Sequence, residues 1–208
     1  MDIQQAYNSW SHTYDTVENK TRDLEALKLQ ETLSRFNFST VLEVGCGTGK
    51  NTPWLLTRSK QVVGVDFSQE MLVKAKEKIR SGNVEFIQAD ILKEWKFKTQ
   101  QFDLITFSLV LEHIQNIDFV FKQARSFLSS DGLLYIGELH PFKQYQGSKA
   151  RFETDNGLFE LECFTHHVSD FFSAANNNGL KCVELKEWFD HDDRTTTPRL
   201  LMMIFKAT

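Results

Sequence analysis

The sequence predicts one α/β domain, a doubly wound sheet of mostly parallel strands with helices on both faces. Short apolar runs without polar alternation recur along the chain, which is typical of strands buried on both faces. Stretches with helical spacing separate these runs, and strands that alternate with helices form parallel sheets through right-handed crossovers. A length of 208 residues suits one domain.

Seven strands are predicted in chain order. The five parallel strands are expected at residues 41–44, 62–65, 84–87, 104–109 and 133–136. Two more are expected at 180–188 and 200–206, with an antiparallel strand at the C-terminal end. In such sheets ligands bind beyond the carboxyl ends of the strands.

Helices are predicted between these strands. Two of them have apolar faces, formed by Met71, Leu72, Ala75 and Ile79 and by Val120, Phe121, Ala124, Phe127 and Leu128. Ser68 and Asp118 are their predicted N-caps. Further helices are expected at 23–35 and at 169–178, the latter closed by Gly179. Residues 140–167 are rich in turns and aromatic side chains and are interpreted as an insertion.

Composition excludes several classes of protein. Lys and Arg total 24 against 28 Asp and Glu, a net charge of -4, so no nucleic-acid partner is expected. The longest apolar run, 104–111, is shorter than the roughly 18 residues of a membrane helix, so no membrane partner is expected. Three cysteines without a Cys-x-x-Cys pair indicate neither a disulfide framework nor a zinc site, and they fit the cytoplasm. The first residues show no secretory signal.

The most informative segment runs from a strand directly into closely spaced glycines. Gly45 and Gly47 allow a tight turn and bring bare backbone against a polar ligand. Asp66 ends the second strand, where a carboxylate suits the two hydroxyls of a ribose. Asp90 follows the third strand, where it suits an adenine amino group. Together they predict an adenosine site.

With these motifs the sequence resembles the class I S-adenosylmethionine-dependent methyltransferases over residues 41–140, and most of all the small-molecule branch with ubiquinone-biosynthesis enzymes. The resemblance implies a Rossmann-like fold and S-adenosyl-L-methionine as cofactor. It also implies a cofactor site, with the methionine end at Glu43, Gly45, Gly47 and Gly49, the ribose at Asp66, the adenine at Asp90 and Ile91, and neighbouring contacts at Phe67 and Met71.

Other parts of the family pattern lie outside the glycine loop. Residues 102–114 resemble the fourth-strand motif, whose end at Ser108 and Leu109 faces the transferable methyl group. Tyr14 resembles an N-terminal element that closes over the cofactor, within a helical lid of residues 1–38. Arg22 is a candidate for the methionine carboxylate, the alternative being an arginine on a helix surface.

Three histidines are candidates for a general base. His113 follows the fourth strand, His166 lies in the insertion, and His140 is favoured because it follows the fifth strand at the expected rim of the site. Their ordinary pKa suits proton acceptance near neutrality. The alternative for each is an interior histidine bonded to the backbone.

The acceptor is expected to be a small, aromatic or apolar molecule, methylated on O, N or C. Residues 140–167 are assigned to the acceptor side, where five aromatic residues either line the pocket or pack a core; these are Phe142, Tyr145, Phe152, Phe159 and Phe164. The segment after the fourth strand lacks the Asn/Asp-Pro-Pro-aromatic motif of nucleic-acid and glutamine methylation. Glu112 is the nearest carboxylate there, so no metal is expected.

Two rival hypotheses remain at this point. A nicotinamide oxidoreductase shares the glycine loop, but the chain has Gly-x-Gly-x-Gly where the dinucleotide motif has Gly-x-Gly-x-x-Gly. That hypothesis also leaves Asp90 without a role. The second rival is a non-catalytic protein that binds S-adenosylmethionine. Cys46, in the loop, is interpreted as a small filler rather than a nucleophile.

Overall fold

A computed structural model describes residues 3–97, 100–154 and 157–207. In this part of the chain a seven-stranded sheet is the middle layer, and helices cover both of its faces. The side chains of Phe152 and Phe159, two of the predicted acceptor-side aromatics, lie outside the described part.

The sheet has the strand order β3-β2-β1-β4-β5-β9-β8. The strands are β1 (Thr40–Val44), β2 (Gln61–Asp66), β3 (Val84–Gln88), β4 (Phe102–Ser108), β5 (Leu128–Leu139), β6 (Arg151–Thr154), β7 (Gly157–Glu160), β8 (Leu180–Trp188) and β9 (Leu200–Ala207). β9 is antiparallel to both of its neighbours, and β6 and β7 form a separate antiparallel pair. The predicted fold class, a mostly parallel sheet with one antiparallel strand near its C-terminal end, is confirmed.

Seven α-helices surround the sheet in the described residues. They are α1 (Ile3–Trp10), α2 (Lys20–Leu33), α3 (Thr52–Arg58), α4 (Gln69–Lys78), α5 (Ile117–Phe127), α6 (Pro141–Tyr145) and α7 (Val168–Asn177). None of them is long and apolar enough to cross a membrane.

The two faces of the sheet carry separate cores because alternate residues of a strand point to opposite sides. Val41 of β1 packs with Leu29 and Leu33 of α2 on one face. Leu42, the next residue, packs with Phe121 of α5 on the other. Burial on both faces explains the unbroken apolar runs of the strands.

One predicted cap is correct and the other is wrong. The Ser68 hydroxyl accepts a hydrogen bond from the Met71 N–H and caps α4, as predicted. The predicted cap Asp118 lies inside the first turn of α5, and Asn116 is the N-cap instead, accepting from the Phe119 N–H. A carboxylate in the first turn still interacts favourably with the helix dipole.

The fifth strand is longer than predicted. β5 begins at Leu128, directly after α5, so Leu128 belongs to the strand and not to the predicted helix face. The residues that follow Leu128 are partly exposed and polar, because β4 and β5 pair irregularly at this end. A strand with an exposed start has no continuous apolar run, which is why the sequence predicts only its buried half.

Candidate functional site

The candidate site lies at the carboxyl ends of the parallel strands, where the strand order reverses between β1 and β4. The larger of two adjoining cavities there encloses about 780 Å³, counting its mouth. Both cavities share Tyr14, Gly45, Gly47, Ser108 and Leu109 as walls. The geometry therefore fits an elongated ligand that crosses the ends of β1 and β4.

The glycine loop after β1 separates the two cavities. Gly45 has a φ of 69°, and a Cβ on it would come within 2.3 Å of the Val110 side chain. Gly47 has a φ of 54° and faces open space, so its bare backbone is available to a ligand. Gly49 lines neither of the two cavities, and a Cβ there would meet Ile79 instead.

Asp66 and Asp90 lie together in the larger cavity, as predicted. The Asp66 carboxylate accepts from the Gly47 N–H at 2.9 Å and from the Ser68 N–H at 2.8 Å. Burial raises the pKa of Asp66 to about 6, although these hydrogen bonds oppose the shift. Asp90 is more exposed and forms an ion pair with Lys93 at 3.1 Å.

The remaining residues predicted around an adenosine line this cavity too. They are Phe67, Met71 and Ile91, with Ala89 and Leu92 beside them. Apolar side chains beside two carboxylates make this end suitable for a flat, partly polar ring attached to hydroxyl groups.

The smaller cavity is lined by five buried polar side chains: Arg22, Glu25, Glu43, Thr48 and Asn51. Arg22 stacks over the Tyr14 ring at 4.3 Å and donates to the Val17 carbonyl. Since only 8% of Arg22 is exposed, the alternative of a surface arginine is wrong.

Two atoms in the smaller cavity are buried without a hydrogen-bond partner. They are Nη1 of Arg22, a donor, and Oδ1 of Asn51, an acceptor. Buried polar groups are rarely left unpaired in folded proteins. The pair is suited to a ligand that carries a hydrogen-bond acceptor for Arg22 and a donor for Asn51.

Burial raises the pKa of two carboxyl groups in the smaller cavity. The pKa of Glu43 is about 8, and repulsion from Glu25 and Asp66 adds to the effect of burial. The pKa of Glu25 is about 7, with hydrogen bonds from Asn51 and Tyr135 opposing the shift. Both groups are thus poised to take up or release a proton near neutrality.

Polar side chains of the N-terminal segment attach it to the rest of the site. Gln4 donates to the Phe67 carbonyl, and Asn8 accepts from the Ser68 hydroxyl at 2.7 Å. Asp15 accepts from the Thr48 hydroxyl at 2.7 Å and forms an ion pair with Lys78. These contacts attach residues 3–17 to the glycine loop and to the end of β2.

His113 is the only one of the three candidate histidines that lines the larger cavity. Its Nδ1 contacts the Glu162 carbonyl at 3.1 Å, and because a carbonyl can only accept, Nδ1 carries the proton of the neutral ring. Nε2 then accepts from the Tyr7 hydroxyl at 2.8 Å. Burial raises the pKa of Tyr7 well above its usual value, which keeps that hydroxyl a donor.

His140, the favoured base, is wrongly placed for that role. Its side chain is buried away from both cavities, with Nε2 3.0 Å from Glu187 and Nδ1 accepting from the Phe142 N–H. Burial lowers the pKa of His140 despite the opposing carboxylate. The ring therefore caps α6 instead of facing an acceptor.

His166 is an interior histidine bonded to the backbone. Its Nε2 contacts the carbonyls of Ile114 at 2.8 Å and Leu111 at 3.1 Å, and it packs against Phe171. It lines neither cavity. The alternative of a structural histidine is correct for His166.

The predicted acceptor-side aromatics whose side chains the structure describes, Phe142, Tyr145 and Phe164, line neither cavity. Phe142 and Tyr145 are about half exposed and pack against each other on the surface. Phe164 is joined to the turn after β4 through its N–H, which donates to the Glu112 carbonyl at 2.7 Å. Leu161 and Cys163 of the insertion pack on α1, and the Glu162 carbonyl between them contacts His113.

The turn after β4 has a strained backbone at Leu109, whose φ is 57°. Its N–H donates to the Gly137 carbonyl at 2.8 Å, and the Glu138 carboxylate accepts from the next two N–H groups, of Val110 and Leu111. Burial raises the pKa of Glu138 to about 8. β5 thus holds the end of β4 in position.

Several residues of the site were not identified from the sequence: Glu25, Asn51 and Glu138. Glu25 follows Arg22 by one helical turn, a spacing that puts both on one face of α2 and could have indicated a pair. For the others the sequence contains no such signal. No cluster in the described residues could hold a metal ion.

Residues 42–136 match the family model described as a methyltransferase domain. The chain is 29% identical over 150 residues to a demethylmenaquinone methyltransferase of Lactococcus lactis, with 67% of this chain and 59% of the relative covered. It is 29% identical over 106 residues to a ubiquinone biosynthesis O-methyltransferase of Glaesserella parasuis, with 48% and 45% covered.

These curated relatives are longer, and the chain spans about half their length. Among solved structures, the DhpI-SAH complex superposes with a TM-score of 0.78 at 22% identity, covering 98% of this chain and 94% of that one. At that identity the likeness concerns the fold.

In its fold, its matched region and its relatives the chain is similar to class I S-adenosylmethionine-dependent methyltransferases. Residues 42–136, from β1 into β5, carry the motifs of that family.

Proposed function

We propose that the protein is an S-adenosylmethionine-dependent methyltransferase that acts on a small molecule. The observation that carries the proposal is the pair of adjoining cavities, with two carboxylates at one end and an unpartnered Arg22 Nη1 at the other. A nucleoside linked to an amino acid has complementary groups at the same two ends.

The residues present fit that cofactor. Asp66 and Asp90 would hold the ribose and the adenine, and Gly47 would let the backbone approach the sulfonium. Arg22 would bind the carboxylate through its free donor, and Asn51 would accept from the ammonium group.

When bound, the cofactor supplies a methyl group on a sulfonium, which is already electrophilic. The protein then has to align the acceptor and exclude water, and alignment alone can contribute about 7 to 11 kcal/mol. The segment 3–17 would act as a lid that excludes water, because its side chains Tyr7 and Tyr14 form part of the wall of the larger cavity.

We assign the general base to His113 and not to His140 or His166. Its Nε2 is the unprotonated nitrogen and accepts a hydrogen bond from the Tyr7 hydroxyl. Both His113 and Tyr7 line the larger cavity. An acceptor proton would pass to Nε2 through the Tyr7 hydroxyl, which donates a hydrogen bond to that nitrogen.

The acceptor is proposed to be an uncharged, apolar or aromatic small molecule, methylated on O, N or C. The larger cavity contains Ile3, Val110 and Ile114 near His113 and no lysine or arginine. A wall without cations disfavours phosphates, and with them nucleic acids. Three free cysteines support the cytoplasm as the compartment.

The test has two steps. Thermal-shift titration with S-adenosylhomocysteine should raise the melting temperature, whereas NAD should not. Tritium transfer from methyl-labelled S-adenosylmethionine should then be measured with catechol, a naphthoquinol, an aliphatic alcohol and a metabolite extract. Binding without transfer would favour the non-catalytic alternative, and stabilisation by NAD alone would overturn the proposal.

A further inference from the structure

Acidic groups outnumber basic ones in the smaller cavity. Glu25 and Glu43 are both buried in its wall, where the buried cation is Arg22. The other cation of the wall, Lys50, forms an ion pair with Asp23 outside the cavity. The wall of the smaller cavity therefore contains one more buried acidic side chain than buried basic side chains.

Glu25 sits at the meeting point of three elements. Its Oε1 accepts from the Tyr135 hydroxyl of β5 at 3.1 Å, and its Oε2 accepts from Asn51 Nδ2 at 3.1 Å. These neutral donors leave the carboxyl group without a direct ion pair. The charged or titratable groups that face it are Arg22 on its own helix, Lys50 in the glycine loop, Glu43 on β1, and Tyr135 and Glu138 on β5.

Two independent observations indicate what the smaller cavity binds. The Oδ1 of Asn51 is buried without a partner and belongs to the same side chain that donates to Glu25. A group that approaches Asn51 Oδ1 therefore also comes near the Glu25 carboxyl. The unpartnered Nη1 of Arg22 lies in the same wall and is suited to an anion. An ammonium group beside a carboxylate satisfies both atoms.

We propose that Glu25 binds the ammonium group of the amino-acid end of the cofactor, and that it releases a proton to solvent when that group arrives. The proposal rests on the proposed function. Before binding, the Glu25 carboxylic acid is surrounded by neutral donors and a neighbouring acid. After binding, a carboxylate faces the ammonium group, the O–H bond of the acid has broken, and the proton has passed to the buffer.

The protonation state of the free protein supports this step. Burial raises the pKa of Glu25 to about 7, so about half of the free molecules carry the proton at pH 7. A cation close to a carboxyl group lowers its pKa. By linkage, the ligand that lowers the pKa binds more tightly as pH rises through 7.

The experiment compares two ligands by isothermal titration calorimetry. S-adenosylhomocysteine carries the amino-acid end, whereas 5′-methylthioadenosine carries the same nucleoside and thioether without it. Titrations at pH 7 in phosphate and in Tris give the number of protons released. We expect S-adenosylhomocysteine to release about 0.5 proton more than 5′-methylthioadenosine. Its affinity should rise about tenfold from pH 6 to pH 8, relative to the same comparison ligand.

Asp66 also titrates near neutrality, but both ligands carry the ribose, so its contribution cancels in the difference. Glu25→Gln keeps an oxygen acceptor and removes the titrating group. It should abolish the excess proton release while 5′-methylthioadenosine still binds, which shows that the variant is folded.

The matched variant is Glu43→Gln. If the excess release disappears in Glu43→Gln and persists in Glu25→Gln, the ammonium ligand is Glu43 and the proposal is overturned. Equal proton release by the two ligands would overturn it as well. If neither ligand binds the wild-type protein, the proposed function itself is wrong.

Discussion

At the scale of single residues, Asp66 and Asp90 differ in burial and in hydrogen-bond partners, so substitutions of the two should differ in their effect on ligand binding. Asp66 is buried and holds Gly47 and Ser68 through their N–H groups, whereas Asp90 is partly exposed and paired with Lys93. Both lie in the proposed nucleoside cavity. A buried charged acceptor contributes more to ligand binding than one in contact with solvent.

Asp66→Asn is therefore expected to weaken S-adenosylhomocysteine binding by about 10-fold to 150-fold, which corresponds to about 1.5 to 3 kcal/mol. Asp90→Asn, the matched variant, should cost less than about tenfold. Calorimetric dissociation constants check both values. Unchanged affinity in Asp66→Asn would place the ribose elsewhere.

Tyr7 provides a second test at this scale. Tyr7→Phe keeps the ring that packs in the lid and removes the hydroxyl that contacts His113 Nε2. We expect kcat to fall by about 10²-fold to 10⁴-fold, the usual contribution of general acid–base catalysis. The dissociation constant for S-adenosylhomocysteine should change little.

Single-turnover rates with the acceptor found in the transfer assay measure this effect. Tyr145→Phe is the control, since Tyr145 lies on the surface outside both cavities. Equal losses in the two variants would contradict the assignment of His113 as the base.

The sequence predicted the nucleoside end of the site better than the catalytic residue. Asp66 follows a strand whose position in the sheet is fixed by its apolar run, so its location depends on local pattern alone. His140 also follows a strand, but the orientation of its side chain is set by a contact with Glu187, 47 residues away. A partner so distant in sequence leaves no local signal, and the same holds for the contact between Tyr7 and His113.

At the scale of elements, Ser68 joins the cap of α4 to the lid. Its hydroxyl oxygen accepts from the Met71 N–H and donates its proton to Asn8 of α1. One side chain thus begins a helix and also fastens the N-terminal segment.

Ser68→Ala removes both contacts, whereas Asn8→Ala removes only the second. Loss of an N-cap costs about 1 kcal/mol, so Ser68→Ala should lower the free energy of unfolding by about 1 to 2 kcal/mol. Asn8→Ala should lower it by less. Urea denaturation of both variants measures the difference, and equal losses would show that the cap contributes nothing.

The boundaries of a helix or strand were predictable where the residues at its ends carry a clear sequence signal. α7 was predicted to within one residue because its helical pattern ends at Gly179, whose φ of 64° suits the end of a helix. β5 was not, because its first residues are exposed and paired irregularly. The β6–β7 pair lies in a segment without alternation and could not be derived from the sequence.

At the scale of the whole molecule, buried acids make stability depend on pH. Burial raises the pKa of Glu25 to about 7 and those of Glu43 and Glu138 to about 8. In the unfolded chain such groups titrate near 4.5. Between these values the folded state binds more protons than the unfolded state.

The free energy of unfolding of the ligand-free protein is therefore expected to fall as pH rises from 6.5 to 8.5, by up to about 1 kcal/mol per pH unit for each group. The stabilisation is complete below about pH 4.5 and is lost as pH passes the folded pKa values. Urea titrations at several pH values measure the slope. Glu138→Gln should make the free energy of unfolding depend less steeply on pH. A slope that this variant leaves unchanged would contradict a raised pKa for Glu138.

The left-handed backbone of Leu109 has a practical consequence for engineering. A side chain at that φ costs about 1 to 3 kcal/mol, and the cost falls at the meeting point of both cavities. Glycine there would relieve that strain, so selection for heat resistance alone would favour the exchange and would loosen the turn beside the proposed methyl-transfer site. Directed evolution of this protein should therefore score the proposed methyl transfer alongside thermal tolerance from the first round.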